Sequence, residues 1–264
     1  MSGWGDIIMK NFALGLVAAV AMTGSAFGAD MAVKARPMAA PIVTYNWTGC
    51  YIGGNVGGGW ARTSQDRSAV VNVGPIVPNT PYGSSDGSDF IGGAQIGCDY
   101  QFAGKWVVGI QGMYDYARID SSHALTAFPT FRSDIRTKDI WTVTGRIGYL
   151  FSPQLLGYVK GGGAWARSDY EIFQPGGLLL SETAYGVNRS GWTVGGGLEW
   201  MFAPGWSVFA EYNYMDFGTK DVTFVTAPGL LGNPDVIRTK LEVSTAQVGV
   251  NYKFNWGGPV VAKY

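Results

Sequence analysis

Four times, at spacings of 49, 51 and 52 residues, an alternating run of side chains closes on aromatic-x-Phe: Tyr100-Gln101-Phe102, Tyr149-Leu150-Phe151, Trp200-Met201-Phe202 and Tyr252-Lys253-Phe254. Three of the four carry a glycine three residues ahead of the first aromatic: Gly97, Gly197 and Gly249. After the first three comes a minimal turn (Ala103-Gly104, Ser152-Pro153, Ala203-Pro204-Gly205), and a new alternating run opens with Trp106, Leu155 or Trp206. A strand that ends, turns in two or three residues and restarts is one arm of an antiparallel hairpin. Four such endings count eight strands.

Alternation and turn residues predict strands near 48–64, 88–102, 105–119, 137–151, 155–172, 189–202, 205–222 and 239–254. Short turns alternate with long polar segments at 65–87, 120–136, 173–188 and 223–238, which hold most of the mid-chain prolines. Short connections at one end and long ones at the other describe an up-and-down barrel whose ends face different compartments.

The division of residues between the two strand faces decides which solvent surrounds such a barrel. In the last strand Ala246, Val248, Val250, Tyr252 and Phe254 share one face, and Thr245, Gln247, Asn251 and Lys253 the other. The second, fourth and sixth strands divide the same way. Charged residues are only 14% of the chain, against about 25% in a soluble domain. Too few charges remain to clothe a barrel in water, so the apolar faces turn outward into lipid and the polar faces inward. The turn-end rings Tyr100, Phe102, Trp106, Tyr149, Phe151, Trp200, Phe202 and Trp206 would then form an aromatic girdle at headgroup depth. The reading is an all-β, eight-stranded antiparallel transmembrane barrel over 48–254.

Residues 1–28 have the form of a secretion signal: Lys10, an apolar stretch from Phe12 to Met22, and the small-x-small site Ala26-Phe27-Gly28, with Met9 as an alternative start. Residues 29–47, rich in Ala, Pro and Met, read as a periplasmic leader, and 255–264 as a C-terminal tail. Nineteen bases against 19 acids give no nucleic-acid surface.

This sequence resembles the small outer-membrane immunogenic proteins of α-proteobacteria, within the outer-membrane-protein-A-like barrels. The likeness rests on the signal, the opening Trp47-Thr48-Gly49-Cys50-Tyr51-Ile52-Gly53-Gly54-Asn55, the Gly-rich strands and the ending Val250-Asn251-Tyr252-Lys253-Phe254. It implies outer-membrane lipids and lipopolysaccharide as surroundings, and barrel-assembly machinery that reads Tyr252 and Phe254. Here the chain continues past Phe254 to Tyr264, which departs from that pattern. The resemblance further implies roles in envelope integrity, antigenicity and, in some members, porin-like conduction or haem binding.

Arg146 and Lys160 lie equidistant from Pro153 and so face each other across a turn, on inward parity. Glu199 and Glu211 flank the next short turn in the same way. Two bases and two acids in a narrow lumen neutralise one another, because an unpaired charge there is costly; as an alternative, the two glutamates are a general acid/base pair of glycosidase type. The sole histidine, His123, falls beside Ser121 and Ser122 in a polar segment. A rim hydrolase or an axial haem ligand would use it, but a solvated loop residue needs no further partner. Cys50 and Cys98 share outward parity on adjacent strands, as a cross-strand disulfide requires. The sequence therefore predicts no catalytic, cofactor or metal site. Its expected role is structural, with loops that meet a host or surface ligand; a narrow gated channel is the second reading and an outer-membrane enzyme the third.

Overall fold

The computed structural model describes residues 45–70, 80–126, 130–173, 180–226 and 235–254. The signal segment, the leader up to residue 44, the tail 255–264 and the loop tips 71–79, 127–129, 174–179 and 227–234 lie outside the described residues.

Eight long strands make one antiparallel sheet: β1 (Gly49–Val70), β2 (Thr80–Phe102), β3 (Trp106–Ala124), β4 (Arg132–Ser152), β5 (Leu155–Phe173), β6 (Leu180–Ala203), β7 (Trp206–Thr223) and β9 (Asp235–Phe254), with a two-residue piece β8 (Val225–Thr226) against β6. Sequential strands pair, β5 pairs β6, and β1 pairs β9 along its whole length, so the sheet closes on itself without a free edge. Closure is what lipid demands, since an unpaired backbone group there has no water to turn to. The turn between β2 and β3, residues 103–105, runs through positive φ at Ala103 and Gly104 (47° and 73°), the left-handed backbone that lets a short hairpin turn match strand twist.

On the outer wall Trp106 packs on Tyr149 (ring centroids 5.2 Å apart) and Trp206 on Tyr252 (4.9 Å), with Phe102, Phe151, Trp200 and Phe202 exposed at the same end. A second girdle lies eight residues up the strands: Trp106 to Tyr114, Tyr149 to Trp141, Trp200 to Trp192 and Trp206 to Tyr214. Its rings also pair across strands, Tyr114 with Trp141 at 4.4 Å and Trp192 with Tyr214 at 5.7 Å. At about 3.3 Å per residue, eight residues span about 26 Å of strand, close to what a tilted membrane strand needs. Between the girdles the outward face carries no charge: on β6 it reads Trp192, Val194, Gly196, Leu198, Trp200, and on β4 Trp141, Val143, Gly145, Ile147, Tyr149.

Beyond the outer girdle the strands continue where the sequence predicts loops. Strand β1 runs to Val70 and not to residue 64, β2 begins at Thr80 and not at 88, β3 ends at Ala124, β4 begins at Arg132, β6 at Leu180 and β9 at Asp235. The reason is a reversal of polarity along unbroken backbone. Outward positions there pair charge with charge, as in Arg62 with Asp86 (2.9 Å), Arg136 with Asp120 (2.8 Å) and Lys138 with Asp169 (2.6 Å). Inward positions turn apolar, with Ile91, Ile119, Ile140, Leu241 and Val243 in one buried cluster and Ile135, Tyr170, Phe224 and Ile237 in the next. Bulges at Tyr116/Ile119, Thr137/Asp139, Ser168/Tyr170 and Asp216/Thr219 also reset the alternation near the changeover, which hides the strands from a period-two reading.

Candidate functional site

The polar faces converge inside the girdled half, and the recurrent glycines account for how they fit. Gly97, Gly197 and Gly249 all point inward, each opposite a ring on the neighbouring strand: Tyr51, Tyr158 and Phe209 respectively. A Cβ at any of the three would collide with that ring. In the remaining repeat, Tyr149-Leu150-Phe151, the same position holds Arg146. Its guanidinium lies over the faces of Tyr51 and Tyr158, 4.8 and 5.1 Å from the centroids, so the rings the glycines admit become the walls of a cation site.

Arg146 Nε donates to Asp99 (2.8 Å) and Nη1 to Glu199 (3.0 Å), making it the centre of the network. Lys253 Nζ donates to the same Asp99 (2.6 Å) and to the carbonyl of Trp47 (2.8 Å). Glu199 further accepts from Ser207 (2.6 Å) and Asn251 (3.0 Å). One level higher, Glu211 accepts from Lys160 (2.7 Å), Tyr158 (2.8 Å) and Asn213 (3.0 Å). The six ions, Asp99, Glu199, Glu211, Arg146, Lys160 and Lys253, are each 5% exposed or less and sum to zero charge. Asp99 thus meets two cations, and Glu199 and Glu211 each meet a cation and further donors, the condition under which buried ions are tolerated.

The network contains the four residues the sequence singles out, Arg146, Lys160, Glu199 and Glu211, and adds Asp99 and Lys253. Both additions sit on the polar parity of β2 and β9, so parity could have found them. Proximity to a turn in sequence could not, because Asp99 meets Arg146 over the intervening β3 and Lys253 over the intervening β1. Above this layer Asn55, Gln95, Gln247, Asn251 and Asp115 are joined by bonds of 2.8–3.0 Å. Below it Trp47 is fully buried with Val107, Leu150, Leu156 and Met201, and its indole donates to the Pro153 carbonyl (3.1 Å). Trp47, the last residue of the expected leader, is thus packed into the barrel: alternation cannot flag a lone residue ahead of a strand, yet this indole stoppers the turn end.

Cys50 and Cys98 are bonded across β1 and β2, with Cα atoms 3.9 Å apart. Tyr252 and Phe254 lie on the outer wall, rings 5.0 Å apart. His123 is half-buried near the loop end of β3 and not on a solvated loop; its neighbour Gly83 leaves room for its ring. No cluster suited to a metal ion occurs among the described residues.

A closed antiparallel barrel, charge-free outside between two aromatic girdles and filled inside by neutralised charge, is an integral membrane β-barrel. The family model for the outer membrane protein beta-barrel domain matches residues 16–254, and the chain belongs to that family, seated among the lipids of the outer membrane of a bacterial cell. The 31 kDa outer-membrane immunogenic protein of Brucella melitensis is 30% identical over 257 residues, 93% of this chain and 100% of that protein. The 25 kDa outer-membrane immunogenic protein of Brucella abortus is 27% identical over 251 residues, 93% of this chain and 99% of that one. Among solved structures, the outer membrane protein OprG from Pseudomonas aeruginosa superposes with a TM-score of 0.50 at 15% identity, over 81% of this chain and 99% of that chain, a likeness of fold.

Proposed function

We propose that the protein is a closed, non-conducting and non-catalytic span that carries its loop end outside the cell as a platform for surface recognition and antigen display, with both termini in the periplasm. The observation that carries this reading is the six-ion network at membrane depth, where paired side chains occupy the path an ion would take. Its carboxylates are engaged by cations, which leaves neither Glu199 nor Glu211 free as an acid or base. The Brucella relatives are named for being immunogenic, which supports presentation of the loop end to a host. The exposed charged belt beyond the outer girdle, including Arg62, Lys138 and Arg136, supports an interaction with lipopolysaccharide phosphates. The position of Tyr252 and Phe254 at the end of the closing strand supports recognition by the barrel-assembly machinery.

Reconstitution in a planar bilayer tests the reading. Wild-type protein should show no steady conductance, and Arg146→Ala should add brief openings. Large steady wild-type currents that ignore substitution at Arg146 and Glu199 would promote the channel reading instead. Phe254→Ala should reduce insertion while deletion of 255–264 leaves it intact; the reverse order would make Tyr264 the residue read.

A further inference from the structure

A second polar layer lies beyond the outer girdle, and its chemistry differs from the first. On four strands the inward residue between the two apolar clusters is polar: Thr63 follows Ala61 on β1, Thr137 separates Ile135 from Ile140 on β4, Ser168 separates Ala166 from Tyr170 on β5, and Thr239 separates Ile237 from Leu241 on β9. Strand β6 adds Arg189, opposite Ala166 and 2% exposed. Its Nε donates to the Tyr170 hydroxyl (3.1 Å) and its Nη1 to the Thr239 carbonyl (2.9 Å), while Nη2 has no partner. Arg146, Lys160 and Lys253 each meet a carboxylate; Arg189 is the one buried cation among the described residues that meets none.

The same layer holds further donors without acceptors. Gln65 is the cross-strand partner of Thr239, and its Nε2 is unpaired although its Oε1 accepts from Ser133 (3.3 Å). The hydroxyls of Thr63 and Thr239 are unpaired as well. A buried guanidinium without a counter-ion is strongly destabilising, and each idle donor adds its own desolvation cost. Water can satisfy the donors but supplies no charge.

We propose that this layer binds one monatomic anion, chloride in ordinary media, held by Arg189 Nη2 with Gln65, Thr63 and Thr239 as the remaining donors. Apolar layers close it on both sides, so the ion is held without its hydration shell. A halide gives that shell up more readily than phosphate or sulfate does, and it accepts hydrogen bonds from any direction. The ion enters as the barrel closes and locks the part of the barrel that stands clear of the bilayer. The claim is independent of the membrane-depth plug, because the two layers share no residue.

Protein refolded into detergent in sodium bromide and in sodium gluconate of equal ionic strength tests the site, read by thermal unfolding and by anomalous diffraction from bromide-grown crystals. The expected result is an anomalous peak within hydrogen-bond distance of Arg189 Nη2 and a higher unfolding midpoint in bromide, both lost in Arg189→Leu. Thr239→Val, which removes one donor and keeps the charge, should raise the half-saturating bromide concentration about tenfold, and it serves if Arg189→Leu does not fold. Ordered water alone beside Arg189 with halide-independent unfolding would overturn the proposal, and so would a half-saturating bromide concentration unchanged in Thr239→Val or a halide effect that survives in Arg189→Leu.

Discussion

The girdled half and the loop-end half of this barrel use the same eight strands and opposite solvent logic. Between the girdles, Val143, Ile147, Val194, Leu198, Val248 and Val250 face out while Asp99, Arg146, Lys160, Glu199, Glu211 and Lys253 face in. Beyond Trp141, Trp192 and Tyr214 the pattern inverts: Arg136, Arg238 and Lys240 face out, and Ile135, Ile237 and Leu241 face in. Outward residues match their medium, lipid below and water above. Inward residues follow from what the outward ones leave over: charges exiled from lipid must neutralise one another, whereas charges free to meet water leave an apolar core as in a soluble barrel.

The comparison breaks first at Arg146. Arg146→Ala leaves Asp99 and Glu199 buried with one cation between them, so unfolding by urea in detergent should show a loss of about 3–5 kcal/mol. Unboiled protein should also lose its shifted gel mobility at a lower temperature. A loss under about 1 kcal/mol would mean that water reaches this layer.

Polarity swaps on the outer wall sharpen the contrast. Leu198→Arg places a charge at bilayer depth and should cost about 2–4 kcal/mol of folding free energy in lipid. Arg238→Leu, beyond the outer girdle, removes only a half-exposed pair with Asp221 (3.3 Å) and should change stability by less than about 1 kcal/mol. Equal costs at the two sites would dissolve the distinction between the halves.

The smallest effect concerns acid. Burial pushes the His123 imidazole below its ordinary value of 6.5, against the opposing pull of Asp134. The folded loop end therefore disfavours the proton: its stability is complete above the ordinary value and declines as pH falls below it. Thermal unfolding followed from pH 7.5 downward should show this decline in wild type, and His123→Gln should flatten it. A wild-type curve that rises on acidification would reverse the sign.

Much of the girdled half is legible in sequence because a single rule, apolar out and polar in, holds without exception from Trp141 to Tyr149 or from Trp192 to Trp200. Parity also selects Arg146, Lys160, Glu199 and Glu211. It cannot say that Asp99 and Lys253 complete their charge, since those contacts join strands that are not hydrogen-bonded to each other, between residues 47 and 154 apart in sequence. The recurrent glycines are visible as a motif, but their cause, a ring on the facing strand, needs the register. The loop-end half stays hidden for a different reason: its inverted pattern, broken by bulges, looks like a polar loop. Arg189 shares that fate, standing where the sequence places the first residue of a strand.

The inversion at the outer girdle is tested most directly by the depth of outward-facing positions along one strand. Nitroxide labels placed singly at 136, 138, 141, 143, 147 and 149 on β4, in protein reconstituted into lipid vesicles, report collisions with oxygen in lipid and with a nickel chelate in water. The account predicts high oxygen and low nickel accessibility from 141 to 149, and the reverse at 136 and 138. A lipid signature that continues through 136, or a water signature that begins below 143, would contradict it.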